Sequence, residues 1–253
     1  MAALRTVTAI RYVTPLREGG SLPAIVEGDD LGTYVLKFRG AGQGEKALVA
    51  ELIAGEIARA LGFKVPEIVF VELDGALGRN EPDYEIRSLI GRSVGRNLGF
   101  DYLPGSIAFE PVLVSVDPQL AARVVWFDAL VTNVDRTARN TNMLLWHREL
   151  YLIDHGAALY FHHDWPAGLS RSRAPFAQIR QHVLLPGAGD LRAIDEELAA
   201  RLSGDVLREI VDQVPEAWLP APAADSRAAY VRFLSERLAA PCHFVEEATH
   251  ARP

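Results

Sequence analysis

Asp135 stands in the segment Thr132-Asn133-Val134-Asp135-Arg136-Thr137-Ala138-Arg139-Asn140-Thr141-Asn142, and Asp154 opens the triplet Asp154-His155-Gly156. Between them lie two short apolar runs, 142–146 and 150–153, separated by His147-Arg148-Glu149. Runs of this kind form a β-hairpin, and an antiparallel hairpin brings its outer ends together. Asn142, just before the first strand, and Asp154, just after the second, are then neighbours. An amide oxygen beside a carboxylate is a hard donor pair. It suits Mg²⁺, which keeps several waters and borrows its remaining ligands from phosphates. Asp135, at the other end of the unit, can orient an attacking hydroxyl. These are parts of a phosphoryl-transfer site.

Such a site also needs a cation for the phosphates. Of 26 basic residues only Lys37, Lys46 and Lys64 are lysines. A sequence that otherwise uses Arg keeps Lys where a compact ammonium is required. Lys37 ends the run Thr33-Tyr34-Val35-Leu36-Lys37-Phe38, whose alternation puts Thr33, Val35 and Lys37 on one face. The helix that follows, expected over 45–61, carries Glu51 on a partly apolar face with Leu48, Leu52 and Gly55. A carboxylate there wants a cationic partner. Helical geometry alone leaves Glu56, beside Leu52 and Ile53, as an alternative. Gly19, Gly20 and Ser21 form a short glycine turn whose backbone N–H groups can cradle phosphate.

The order Lys37, Glu51, Asn133-Val134-Asp135-Arg136, a downstream Asn and Asp154-His155-Gly156 resembles the HipA-like kinases, which share the protein-kinase fold and are similar to phosphatidylinositol 3/4-kinases. The segment Ala50 to Pro66 also resembles that family before its fourth strand. The resemblance spans about residues 17–240 and implies an α+β, two-lobed protein-kinase-like fold. A small β-rich N-lobe with one helix covers 1–103, and a larger, mostly helical C-lobe covers 104–253. It implies ATP between the lobes, its adenine near Asp101, Tyr102 and Leu103 and its phosphates on Lys37, anchored by Glu51. Asp135 becomes the group that accepts the acceptor's proton, with Asn133 and Arg136 in the same catalytic loop. Arg136 can pair with an acid of that loop or of the segment after Gly156. Mg²⁺ falls to Asp154 with Asn142 or Asn140. The family's spacing from catalytic Asp to Asn selects Asn140; its habit of placing that Asn directly before the strand selects Asn142. The acceptor implied is a Ser/Thr hydroxyl on a protein. The Asp135-to-Asn140 spacing is also similar to that of antibiotic phosphotransferases, which keeps a small-molecule or lipid acceptor open, as does a non-catalytic binding module. Typical HipA toxins are much longer, and Phe of the usual Asp-Phe-Gly is His155 here.

The remaining elements frame these residues. Strands are expected at 6–13, 22–26 and 67–73, helices at 120–131, 196–202, 205–214 and 226–238, and loop at 80–83. The chain has 253 residues and a formal charge of −7, which disfavours nucleic-acid binding. One cysteine, Cys242, excludes an internal disulfide and a Cys-rich zinc site. His162-His163-Asp164 lacks a third ligand at metal spacing. Gly40 to Lys46 lacks the spacing of a phosphate loop, and no nucleophile elbow is present. No membrane span or signal sequence is read, so the expected location is the cytoplasm.

Overall fold

The computed structural model describes residues 3–16, 22–42, 44–79, 81–239 and 243–252. Its first part is a closed β-barrel. Strands β1 (Thr6–Pro15), β2 (Ala24–Gly28), β3 (Thr33–Lys37), β4 (Ile68–Leu73) and β5 (Gly95–Asp101) run in the order β1-β2-β3-β5-β4. A parallel pairing of Thr6–Thr8 with Phe70–Glu72 closes the ring. Val7, Ala9, Ala24, Val26, Leu36, Val69 and Val71 fill the interior. Helix α2 (Tyr84–Arg92) lays Ile86, Leu89 and Ile90 against the same cluster. The expectation of loop at 80–83 stopped just short of α2. Asp83 caps it, accepting from the Glu85 N–H at 2.9 Å.

Helix α1 (Glu45–Ala60) is buried from Leu48 to Ala58. Its sequence is apolar almost all round, as burial on more than one side requires. A Cβ at Gly55 would lie 2.6 Å from Ile68 Cδ1, so the small residue permits the close approach of α1 and β4.

The second part is mostly helical around α3 (Pro118–Leu130), which Asp117 caps through the Gln119 and Leu120 N–H groups, both at 3.0 Å. Helices α4 (Trp165–Leu169), α5 (Arg192–Ala200), α6 (Gly204–Asp212), α7 (Ala223–Ala239) and α8 (His243–His250) complete it. Trp126 and Phe127 of α3 are fully buried. A small sheet, β6 (Ile107–Ala108), β7 (Met143–Trp146) and β8 (Glu149–Leu152), lies beside α3 in sequence. The β7–β8 connection is two residues, not the three expected: Glu149 pairs with Trp146. His147 and Arg148 both take positive φ, 50° and 67°, the conformation of a type I′ hairpin turn. Among the described residues no helix is long and apolar enough to cross a membrane.

All three lysines join the β-rich part to the helical part. Lys37 reaches Asp154, Lys46 donates to the His162 carbonyl at 2.8 Å, and Lys64 lies 3.3 Å from Glu149.

His162 is buried, with Nδ1 2.9 Å from the Tyr230 hydroxyl and Nε2 without a partner. Burial, with the charges of His163 and Lys46, pushes it from 6.5 down to about 3. The unfolded chain therefore binds a proton that the folded protein refuses as pH falls through 6.5, and stability is lost until about pH 3. Between pH 7 and 5 this one residue should cost roughly 2 kcal/mol. Urea unfolding at both pH values should show a smaller drop for His162→Gln; equal drops would refute the assignment.

Candidate active site

The site is assembled from the end of β3, the second turn of α1, the loop after α3 and the segment after β8. Lys37 leaves the barrel wall on the face opposite Tyr34 and Leu36, toward α1. Its ammonium donates to Glu51 Oε1 and, at 2.5 Å, to Asp154 Oδ1. Glu51 is 1% exposed and spends its second oxygen on the His155 backbone N–H at 2.7 Å. Glu56 pairs instead with Arg59 at 2.8 Å, so of the two glutamates it is Glu51 that contacts Lys37. Gly156 is small for a reason: a Cβ there would meet Glu51 Oε1 at 3.0 Å.

Two carboxylates thus share one ammonium. Burial lowers the Lys37 pKa, but Glu51 and Asp154 outweigh it and hold it above the usual lysine range. Burial, reinforced by the Asp154 charge and opposed by Lys37, pushes Glu51 up to about 7. For Asp154 burial raises and Lys37 lowers, and the net result is about 2.

The loop after α3 presents Asp135. Asn133 Oδ1 accepts the Asp135 N–H at 3.1 Å and its Nδ2 donates to Asp128 at 2.9 Å, an Asx turn pinned to α3. Asp135 Oδ2 accepts from Asn140 at 2.7 Å and from Asn142 at 3.3 Å. Both asparagines therefore meet Asp135, and Asn140 is the more exposed. The Ile153 N–H donates to the Asn142 carbonyl at 3.0 Å, so the two-residue turn sets Asn142 opposite Ile153 rather than opposite Asp154 as expected.

Arg136 points the other way, into the protein, and is 1% exposed. Its Nε donates to Asp128 at 2.5 Å, Nη2 lies 3.2 Å from His155 Nδ1, and Nη1 donates to the Asn142 carbonyl and to that of Ile153 at 3.4 Å. His182 Nε2 lies 2.8 Å from Asp128, and its Nδ1 accepts the Leu184 N–H at 3.1 Å, which assigns the proton to Nε2. Burial opposes ionisation of Asp128, but Arg136 and His182 hold its pKa far below 3.8. Asn133 and Arg136 are thus buried behind Asp135, while Asp135 itself faces solvent space.

That space is a cavity of about 410 Å³ lined by Lys37, Glu51, Leu48, Asp135, Asp154 and Tyr160, among others. Of the sequence-derived site, Lys37, Glu51, Asp135 and Asp154 share its wall. Asp101, Tyr102 and Leu103 do not line it; Asp101 is the last residue of β5, and the Tyr102 N–H donates to the Thr33 carbonyl at 2.9 Å. Gly19, Gly20 and Ser21 lie outside the described residues. Asp128 and His182 were not anticipated. The signal for Asp128 was an acid inside the run Val124 to Leu130, where an unpaired charge is untenable.

Among the described residues no three His, Cys, Asp or Glu side chains are grouped to hold a metal. A divalent ion here would use the amide and carboxylate oxygens at the hairpin ends. The donor chemistry fits Mg²⁺: Asp154 keeps 46% of its side chain exposed, and Asn142 turns its nitrogen, not its oxygen, toward Asp135.

A β-rich first part whose strand lysine pairs with a helix glutamate, joined to a helical part carrying an acid-bearing loop and hairpin, defines a protein-kinase-like phosphotransferase fold. The sequence model of the HipA-like kinases matches residues 9–241. The chain belongs to the HipA-like kinase family. Its fold is similar to the crystal structure of a Helicobacter pylori proinflammatory kinase, CtkA, with a TM-score of 0.58 at 12% identity over 97% of this chain and 98% of that one. The Golgi casein kinase crystallised with Mn/ADP aligns at a TM-score of 0.49 and 12% identity, covering 98% of this chain and 74% of that one. No curated protein sequence matches the chain.

Proposed function

We propose that the chain is an ATP-dependent kinase that transfers the γ-phosphoryl group to a Ser or Thr hydroxyl of a protein. The observation that carries this reading is one ammonium, Lys37, held between Glu51 and Asp154 on the wall of a cavity that Asp135 also lines. ATP lies between an N-lobe of residues 1–103 and a C-lobe of residues 104–253. Its adenine sits toward Asp101, Tyr102 and Leu103. Lys37 binds phosphate oxygens, and Glu51 fixes the ammonium so that no reorganisation is needed when charge develops. Asp135 orients the acceptor hydroxyl and takes its proton as the oxygen–phosphorus bond forms and the bond to ADP breaks. Asn133 and Arg136 hold the loop that presents Asp135. Asp154 and Asn142, with Asn140 as the other candidate, would hold Mg²⁺, which neutralises charge on the phosphates when bound.

Mg-ATP should raise the melting temperature, by about 5–10 °C at a hundredfold excess over Kd. Asp154→Ala should abolish the Mg²⁺-dependent part of that shift. A variant with an unchanged metal requirement would remove Asp154 from the ligand set. Transfer of labelled γ-phosphate to proteins, against transfer to small alcohols, tests the acceptor. The small-molecule reading has one observation in its favour: about 410 Å³ beside Asp135 is within the range of small-ligand pockets. Nucleotide binding without transfer to either class would leave a binding module.

A further inference from the structure

His155 occupies the place where protein kinases carry the Phe of Asp-Phe-Gly, and its surroundings favour a hydrocarbon. The ring is fully buried, edge-on to Phe127 with centroids 5.7 Å apart. Its Nδ1 faces the Arg136 Nη2 donor at 3.2 Å, so Nδ1 accepts and the proton lies on Nε2. Nε2 has no partner. Leaving a buried polar atom unpaired is costly, and phenylalanine would avoid the cost. What histidine adds is the Nδ1 acceptor.

That acceptor completes a set. One guanidinium, Arg136, contacts the carbonyls of Asn142 and Ile153 and the ring of His155. Ile153 and His155 are the two neighbours of Asp154, and the His155 N–H is also held by Glu51. Asp154 itself has φ 54°, a left-handed conformation that a non-glycine residue keeps only when its flanks are fixed.

We propose that His155 is a positioning residue whose Nδ1, accepting from Arg136, latches the Asp154 carboxylate in its metal-binding place, a task that aromatic packing performs in Asp-Phe-Gly kinases. The catalytic loop and the metal-ligand segment are then one rigid unit, because the same arginine follows Asp135 directly and is anchored on Asp128. The inference rests on the kinase reading for what Asp154 binds, but the latch itself is testable without nucleotide.

Two variants separate the hydrogen bond from the packing. His155→Phe keeps the volume and removes the acceptor; His155→Asn loses volume but returns an oxygen near the Nδ1 position. At fixed ATP, the Mg²⁺ concentration giving half the thermal shift should rise about tenfold in His155→Phe and stay within about threefold of wild type in His155→Asn. The kcat at saturating Mg²⁺ should recover in both. An unchanged Mg²⁺ requirement in His155→Phe, or equal damage in both variants, overturns the proposal. Hydrogen exchange of the wild-type protein gives an answer even if a variant fails to fold. The amides of His155, Ala158 and Leu159 donate to Glu51, His155 and Val131 at 2.7, 2.9 and 2.7 Å. They should be protected without ligand and change less than about threefold on adding Mg-ATP. Free exchange that slows only with Mg-ATP would show that the ligand, not the latch, orders the segment. Absence of any Mg-ATP effect on wild-type stability would instead refute the kinase reading and leave the exchange result to judge the latch.

Discussion

Asp135→Asn is expected to lower kcat by about 10²–10⁴-fold while leaving ATP affinity within a few-fold of wild type. The substitution keeps the shape of the side chain and the backbone bond from the Asp135 N–H to Asn133. It removes the acceptor for the hydroxyl proton. It also turns the contacts with Asn140 and Asn142, both of which donate to Asp135 Oδ2, into contacts between amides that must reorient. Lys37, Glu51 and Asp154 do not depend on Asp135 for their mutual bonds, so the nucleotide side of the cavity is preserved. Single-turnover transfer and a thermal shift with Mg-ATP measure the two quantities separately. Turnover within threefold of wild type would take Asp135 out of the mechanism.

The largest expected effect on stability belongs to a residue that touches no substrate. Asp128→Ala removes the anion that receives Arg136, His182 and Asn133 in a site closed to water. Arg136 keeps its charge and stays buried without a counter-ion. Breaking a buried pair this way costs about 3–5 kcal/mol, which for a chain of this size lowers the melting temperature by roughly 6–20 °C. Urea unfolding should show the loss, and a loss below about 1 kcal/mol would mean that water or another acid compensates. The acid limb should move as well. The Asp128 carboxyl is held below 3.8, so its contribution is present above that pH and disappears as pH falls through the folded-state value. In Asp128→Ala that part of the acid unfolding transition should be absent.

The sequence made the local parts of this arrangement legible. Alternation along β3 separates Lys37 from the barrel interior, and helical spacing narrows its partner to two glutamates on α1. The apolar runs around His147 lead the sequence to set 142 beside 154, one residue off the observed pairing of 142 with 153. Where the reading stops, the reason is physical. The choice between Glu51 and Glu56 depends on the rotation of α1 against the barrel, which periodicity does not fix. The sequence expects a three-residue turn at His147-Arg148-Glu149; the hairpin twist instead puts His147 and Arg148 in the left-handed region and pairs Glu149 with Trp146. Helix α2 had a visible cap in Asp83 and a visible stripe in Ile86, Leu89 and Ile90. The Asp128–His182 contact joins residues 54 positions apart. No local pattern announces such a pair, and the same holds for the packing of His155 against Arg136. Residues 101–103, expected near the nucleotide base, end and follow β5, and none of them lines the cavity, whose wall includes Ala47, Leu48 and Glu51 of α1.

The scarcity of lysine has a practical consequence. With every ε-amine of the chain spanning the same seam, the rate at which an acylating reagent labels each one becomes a three-channel gauge of opening. Lys37 keeps 12% of its side chain exposed and Lys64 48%, so a rise in labelling at Lys37 relative to Lys64 reports opening of the seam.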